Sequence, residues 1–182
     1  NRTIFSSPSV YDQCLERTII IHSFSKSYAM TGWRIGAVTA PKELVRRMTL
    51  LLETIASCVS PFLQLAAEEA LSSKQDYIDD MVETFRKRRD LMHEIILDLP
   101  LISALKPEGA FYTFVNIQKT GLSDEEFSER LLNEYGVATC PGSFFGDGGV
   151  GYVRFCFATD ERNIKIGLER VKEFLNKLIK IE

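Results

Sequence analysis

Residues 23–34 read S-F-S-K-S-Y-A-M-T-G-W-R and continue from the β-branched, apolar run Thr18 to Phe24, T-I-I-I-H-S-F. Such a run is expected to form a short strand buried on both faces. Lys26 then stands at the strand's carboxyl end, the edge at which open α/β sheets bind ligands. Ser25 to Gly32 reads as a polar, hydroxyl-rich loop, and Arg34 to Ala40 (R-I-G-A-V-T-A) as a second strand. Strand, loop and strand bring Lys26 and Arg34 to one edge. A lysine amine that is desolvated or set beside a cation is nucleophilic and forms a Schiff base with an aldehyde. Arg34 offers a planar fork for a phosphate, and Ser23 and Ser25 add hydroxyl donors. Each residue also has a plainer reading: a solvated strand-end lysine, a surface arginine, serines that shape a turn. The other reading takes them together, as an aldehyde-capturing lysine beside a phosphate cradle, which is what pyridoxal 5'-phosphate needs, and the residues alone leave both open.

Working outward, Pro41 suits the first residue of a helix, and Leu44, Val45, Met48, Leu51, Leu52 and Ile55 recur at helical spacing. Pro61 opens another helix, and Ser72-Ser73 breaks it. A long helix is expected over about 76–99, with Ile78, Met81, Phe85, Met92, Ile96 and Leu99 as its stripe and Pro100 as its stop. Ala110 to Ile117 reads as a strand. Ser123-Asp124-Glu125-Glu126 is a capping box, and Gly136 ends the helix that it starts. Val137 to Cys140 and Val150 to Phe157 read as strands. Asp160 caps a last helix with Ile164, Leu168, Val171, Leu175 and Leu178 on one face. In the second of those strands Arg154 interrupts an apolar run, and alternation places it opposite Val153, Phe155 and Phe157. A half-buried guanidinium calls for an anionic partner, either a structural acid or a bound carboxylate.

The bulk numbers set the class. The chain has 182 residues, net charge −3 and 45% hydrophobic residues. That is an ordinary globular composition, with nothing to suggest a nucleic-acid or membrane partner. No membrane-span-length apolar run and no signal-peptide pattern occur. Cys14, Cys58, Cys140 and Cys156 are scattered, as for reduced thiols in a cytoplasmic protein. His22 and His93 lack ligand spacing, so no metal site is expected. The basic cluster Arg86-Lys87-Arg88-Arg89 reads as a solvated or interface face, Tyr28 and Trp33 as packing around the lysine loop, and Asp147-Gly148-Gly149 as a turn. Asn1-Arg2-Thr3 matches a glycosylation sequon of little weight.

S-F-S-K-S-Y-A-M-T-G-W-R-I-G, residues 23–36, closely resembles the cofactor-lysine signature of class I/II aminotransferases, the fold type I pyridoxal-phosphate enzymes. The resemblance continues through Ser60 to Ala67, through Pro107 to Tyr112, through Pro141 to Gly146 and through Tyr152 to Ala158. It implies Lys26 as the cofactor-bearing lysine and proton shuttle, with Ser23, Ser25 and Arg34 as phosphate contacts, Arg34 foremost. It implies Arg154 as the ligand of the substrate α-carboxylate. The implied fold is α/β: the C-terminal part of the fold type I large domain over residues 1–85, then the α/β small domain over 86–182, with the boundary inside the long helix. The implied reaction is amino-group transfer between an α-amino acid and a 2-oxo acid in a cytoplasmic homodimer.

In that family an aspartate and a tyrosine of a D-x-x-Y-type strand end hold the cofactor ring, and nothing like it precedes Lys26. The chain also begins with Asn1. It is therefore expected to be a fragment that is inactive alone. Two rival functions remain open: a lyase or synthase of the same fold, for example a C–S β-lyase, and a non-catalytic dimerisation piece.

Overall fold

The computed structural model describes residues 6–179; the Asn1 sequon lies outside them. The chain forms two compact units, Asn1–Asp79 and Asp80–Glu182.

The first unit begins with a single helical turn, α1 (Ser9–Asp12). The Asp12 carboxylate then accepts the N–H groups of Cys14, Arg17 and Thr18 at 2.8–3.0 Å. Hydrogen bonding from Thr18 and Arg17 holds this carboxyl below its ordinary value. The knot delivers the chain into β1 (Ile20–Ser23), which pairs antiparallel with β2 (Gly36–Thr39) in the register Ile20↔Thr39 to Ser23↔Gly36. Helices α3 (Lys42–Ala56) and α4 (Pro61–Ser72) follow, with Pro41 as the N-cap of α3 rather than its first residue and Pro61 inside α4. The fixed φ of proline suits the opening of a helix, where its missing N–H has no partner to lose.

The expected two-sided burial of β1 is not met. Among the described residues β1 has only β2 as a neighbour, and Ile19 and Ile21 are exposed. An isoleucine run records what a strand is suited to pack against; burial needs sheets or helices on both faces. The apolar stripe of α3 is likewise present but uncovered: no residue of α3 is buried, and Leu51 and Ile55 are exposed. The core of this unit is small, namely Phe24, Met30, Ile35 and Ala67.

The long helix α5 (Asp76–Leu97) spans the division between the units. It closes two residues short of Leu99, and Asp98 and Leu99 continue with i→i−3 bonds to Ile95 and Ile96. The residue before a proline avoids the helical region, so Pro100 ends the helix from a distance. The basic cluster on α5 is partly paired within the helix: Arg86 with Glu83, and Arg89 with Asp90 at 2.8 Å.

The second unit is a four-stranded antiparallel sheet in the order β3-β4-β6-β5, formed by Ser103–Ala104, Tyr112–Asn116, Tyr152–Cys156 and Cys140–Pro141. The strand expected over Val137 to Cys140 is reduced to the last of those residues and Pro141. Helices α6 (Asp124–Tyr135) and α7 (Glu161–Ile179) share one core with the sheet's inner face. Ser123 Oγ caps α6 by accepting the Glu126 N–H at 3.1 Å, and Gly136 closes it at φ 68°. Asp160 accepts the Asn163 N–H at 2.7 Å and caps α7. Val115 and Val153 from the sheet, Phe127 and Leu131 from α6, and Val171 and Phe174 from α7 are all fully buried. Each such side chain contributes about 1.5–3 kcal/mol through removal from water. No helix among the described residues is long and apolar enough to cross a membrane.

Candidate functional site

The lysine segment is more ordered than a polar loop. Ser23 ends β1 in an extended conformation and caps a single helical turn, α2 (Phe24–Ser27), its hydroxyl oxygen accepting the Ser25 N–H at 3.2 Å. A short 3-10 turn, Thr31–Trp33, follows before β2. The connection is anchored from inside. Phe24, Met30 and Ile35 are buried, the Phe24 N–H donates to the Ile35 carbonyl at 3.3 Å, and the Phe24 and Tyr28 rings lie 5.2 Å apart. With those apolar residues held inward, Ser23, Lys26 and Arg34 are exposed and Ser25 is half-buried. Trp33 is 46% exposed, so only Tyr28 of the two expected aromatic residues packs on this segment's core.

Ser23 and Gly36 are register partners. Ser25, Lys26 and Arg34 therefore all belong to the one connection that leaves and re-enters the ribbon at the same end. The close pairing depends on Gly36, where a Cβ would stand 2.6 Å from the His22 carbonyl oxygen. Arg34 adopts the left-handed conformation (φ 52°), and its Nη1 donates to the Thr31 carbonyl at 2.9 Å. Ala29 is also left-handed, at φ 53°. Non-glycine residues in that region store on the order of 1–2 kcal/mol of strain each, a cost that clusters at functional segments. An amine, two hydroxyls and a guanidinium fork on one connection suit a phosphorylated aldehyde: the amine for the carbonyl carbon, the others for the phosphate oxygens.

Arg154 occupies the middle of β6, opposite Phe114 of β4 and Cys140 of β5. Alternation holds as expected: Val153, Phe155 and Phe157 are buried in the core, while Arg154 is half-buried on the other face. Its neighbours are aromatic rather than acidic. The guanidinium carbon lies 4.1 Å from the Tyr112 ring centroid and 4.7 Å from that of Phe145. Phe114 stacks on Tyr152 at 5.4 Å and meets Phe145 edge-on at 6.0 Å. The sequence signal for this surround is the outward period-two placement of Tyr112 and Phe114 on β4 and of Tyr152 on β6. The motifs that carry these residues were legible, but their grouping around Arg154 was not.

Phe145 reaches Arg154 from the 3-10 turn Gly142–Phe145. The Ser143 N–H donates to Asp124 Oδ2 at 2.8 Å and ties this turn to the start of α6. The Ser143 hydroxyl lies outside hydrogen-bonding geometry, so the backbone N–H carries the contact. Lys26 and Arg34 belong to the first unit and Arg154 to the second. Among the described residues no cluster of three His, Cys, Asp or Glu side chains is arranged to hold a metal ion.

The family profile described as aminotransferase class I and II matches residues 6–171. An aspartate aminotransferase of Pyrococcus horikoshii is 40% identical over 88% of this chain and 41% of its own length. The crystal structure of an aromatic aminotransferase from the same organism superimposes with a TM-score of 0.84 at 40% identity, over 89% of this chain and 44% of that one. An aspartate aminotransferase from Rhizobium meliloti superimposes with a TM-score of 0.88 at 33% identity, over 94% and 45%. The chain spans less than half the length of these relatives.

Proposed function

Because the chain belongs to the class I and II aminotransferases, a fold type I family, we propose that the full-length protein transfers an amino group from an α-amino acid to a 2-oxo acid with pyridoxal 5'-phosphate. The observation that carries the proposal is that Ser23 at the end of β1 and Ser25, Lys26 and Arg34 on the connection that follows it stand at one end of the β1–β2 ribbon. When bound, the cofactor supplies an aldehyde and an electron-withdrawing ring. Lys26 would hold it through its amine and, once the substrate's own amino group has displaced that amine, would take and return the proton at the substrate Cα. Arg34 binds the phosphate through its planar fork, helped by the Ser23 and Ser25 hydroxyls. Arg154 binds the substrate α-carboxylate and so fixes which bond at Cα is presented for cleavage. Residues 1–85 belong to the large domain and 86–182 to the small domain of a cytoplasmic homodimer.

The test uses full-length protein with added pyridoxal phosphate. Wild type is expected to show the absorbance band of a lysine–aldehyde adduct and to form a 2-oxo acid from the amino donor. Lys26→Ala is expected to lose both, and Arg34→Ala to weaken cofactor binding by on the order of tenfold or more. A Lys26→Ala protein that keeps the band would remove the assignment. Product from β-elimination in place of amino transfer would turn the reading toward a lyase of the same fold.

A further inference from the structure

The guanidinium of Arg154 is held by rings. Among the described residues its carbon lies 4.1 Å from the Tyr112 ring centroid and 4.7 Å from that of Phe145, and Arg154 is in none of the ion pairs. The geometry matters because the two kinds of neighbour use different parts of the group. A ring attracts the cation through its π face. The five N–H donors lie in the guanidinium plane. An acidic neighbour would engage those donors, whereas face contacts leave them for an incoming planar anion.

Phe145 is half exposed and depends on its turn for position. Two contacts fix that turn. The Ser143 N–H is bound by the buried Asp124 carboxylate at 2.8 Å, and the backbone of Gly142 packs directly against that of Gly149. Asp124 is the first residue of α6, capped by Ser123, and α6 is pinned in the core by the fully buried Phe127 and Leu131. The tether thus runs from a rigid helix to the ring over Arg154.

We infer that Tyr112 and Phe145 are positioning residues for carboxylate recognition, holding the Arg154 guanidinium by its face with its N–H edge open to substrate, and that Asp124 keeps Phe145 there by tethering the turn. The inference rests on the role proposed for Arg154 toward the substrate carboxylate. It predicts that substrate affinity is set partly by residues that make no contact with substrate themselves.

The experiment measures KM and kcat separately in the full-length holoenzyme, with L-aspartate or L-phenylalanine, whichever is turned over faster, and 2-oxoglutarate. The variants are F145L, Y112L, D124N and the double variant D124N/F145L. F145L, Y112L and D124N are each expected to raise KM for donor and acceptor roughly two- to tenfold, with kcat within about twofold of wild type. D124N is expected to add nothing once Phe145 is gone, because both act through one contact. Unchanged KM in F145L, or effects of D124N and F145L that multiply, would overturn the inference. If D124N does not fold, D124E, which keeps the carboxylate but moves it, replaces it in the cycle. R154K separates the two levels: unchanged KM in R154K removes the role of Arg154 itself, while raised KM in R154K beside unchanged KM in F145L removes only the positioning role.

Discussion

Gly142 and Gly149 meet backbone against backbone, so that a Cβ on either would overlap the carbonyl oxygen of the other. This contact closes the segment that carries Phe145 and returns the chain to β6. Neither glycine is in the left-handed region, so the demand is for space rather than for conformation. Gly142→Ala is therefore expected to destabilise the second unit by on the order of 3 kcal/mol, as overpacking against fixed backbone does. Denaturant unfolding checks it, and an unchanged midpoint would show that the turn yields easily.

Ala29 behaves in the opposite way. It is exposed in the lysine connection at φ 53°, where its Cβ costs energy and glycine adopts the conformation freely. Glycine also gains more freedom in the unfolded chain, by about 0.5–1 kcal/mol. The two effects nearly cancel, so Ala29→Gly is expected to leave stability within about 1 kcal/mol of wild type, on the stabilising side. Thermal unfolding of the full-length protein decides it; a loss of more than about 1 kcal/mol would mean that the strain is not borne by Ala29.

Asp124 links pH to the second unit. Burial opposes its charge, but the hydrogen-bond donors around it, Ser143 first and the Asp124 and Gly151 N–H groups with it, together hold the carboxyl below its ordinary value. The unfolded chain then takes up the proton first. The stability contributed by Asp124 is complete above the ordinary aspartate range, near pH 4, and is lost as pH falls through the lower native value. The stability difference between wild type and Asp124→Asn is expected to be largest at neutral pH and to shrink below about pH 4. Urea unfolding at a series of pH values measures it, and a difference independent of pH would count against an ionised, hydrogen-bonded Asp124.

The two units are expected to differ in resistance to protease when the 182-residue chain is purified alone. The second has an extended core, whereas in the first Ile21, Leu51 and Ile55 are exposed and, among the described residues, the buried cluster is Phe24, Met30, Ile35 and Ala67. Segments with few buried contacts open locally and are cut there. Limited trypsin digestion should cleave before Asp80 first and leave a resistant piece within Asp80–Glu182. Early cleavage inside α6 or α7 would contradict this.

Much of this organisation is written in local sequence. Ser123, Gly136 and Asp160 mark helix ends because a cap is satisfied within a few residues. The lysine motif is contiguous, so Ser23, Lys26 and Arg34 were identifiable before any tertiary contact was known. Arg154 was legible because strand alternation assigns faces by parity alone. The same parity did not reveal what stands around it. Phe145 lies on a separate turn, and the Asp124–Ser143 hydrogen bond joins an α6 terminus to that turn across intervening chain.

The isoleucine run of β1 marks the other boundary. Its residues specified a strand, and Ile20 to Ser23 form one, but their exposure depends on which elements lie over them. The sequence by itself determined the family, the helix caps, the strand parities and the candidates for the site. Tertiary structure alone decided that Ala29 and Arg34 take left-handed conformations and that Arg154 rests on Tyr112 and Phe145. The physical reason is range: hydrogen bonds of caps and the pleat of a strand act between near neighbours in the chain, whereas burial and ring packing act between residues that only folding brings together.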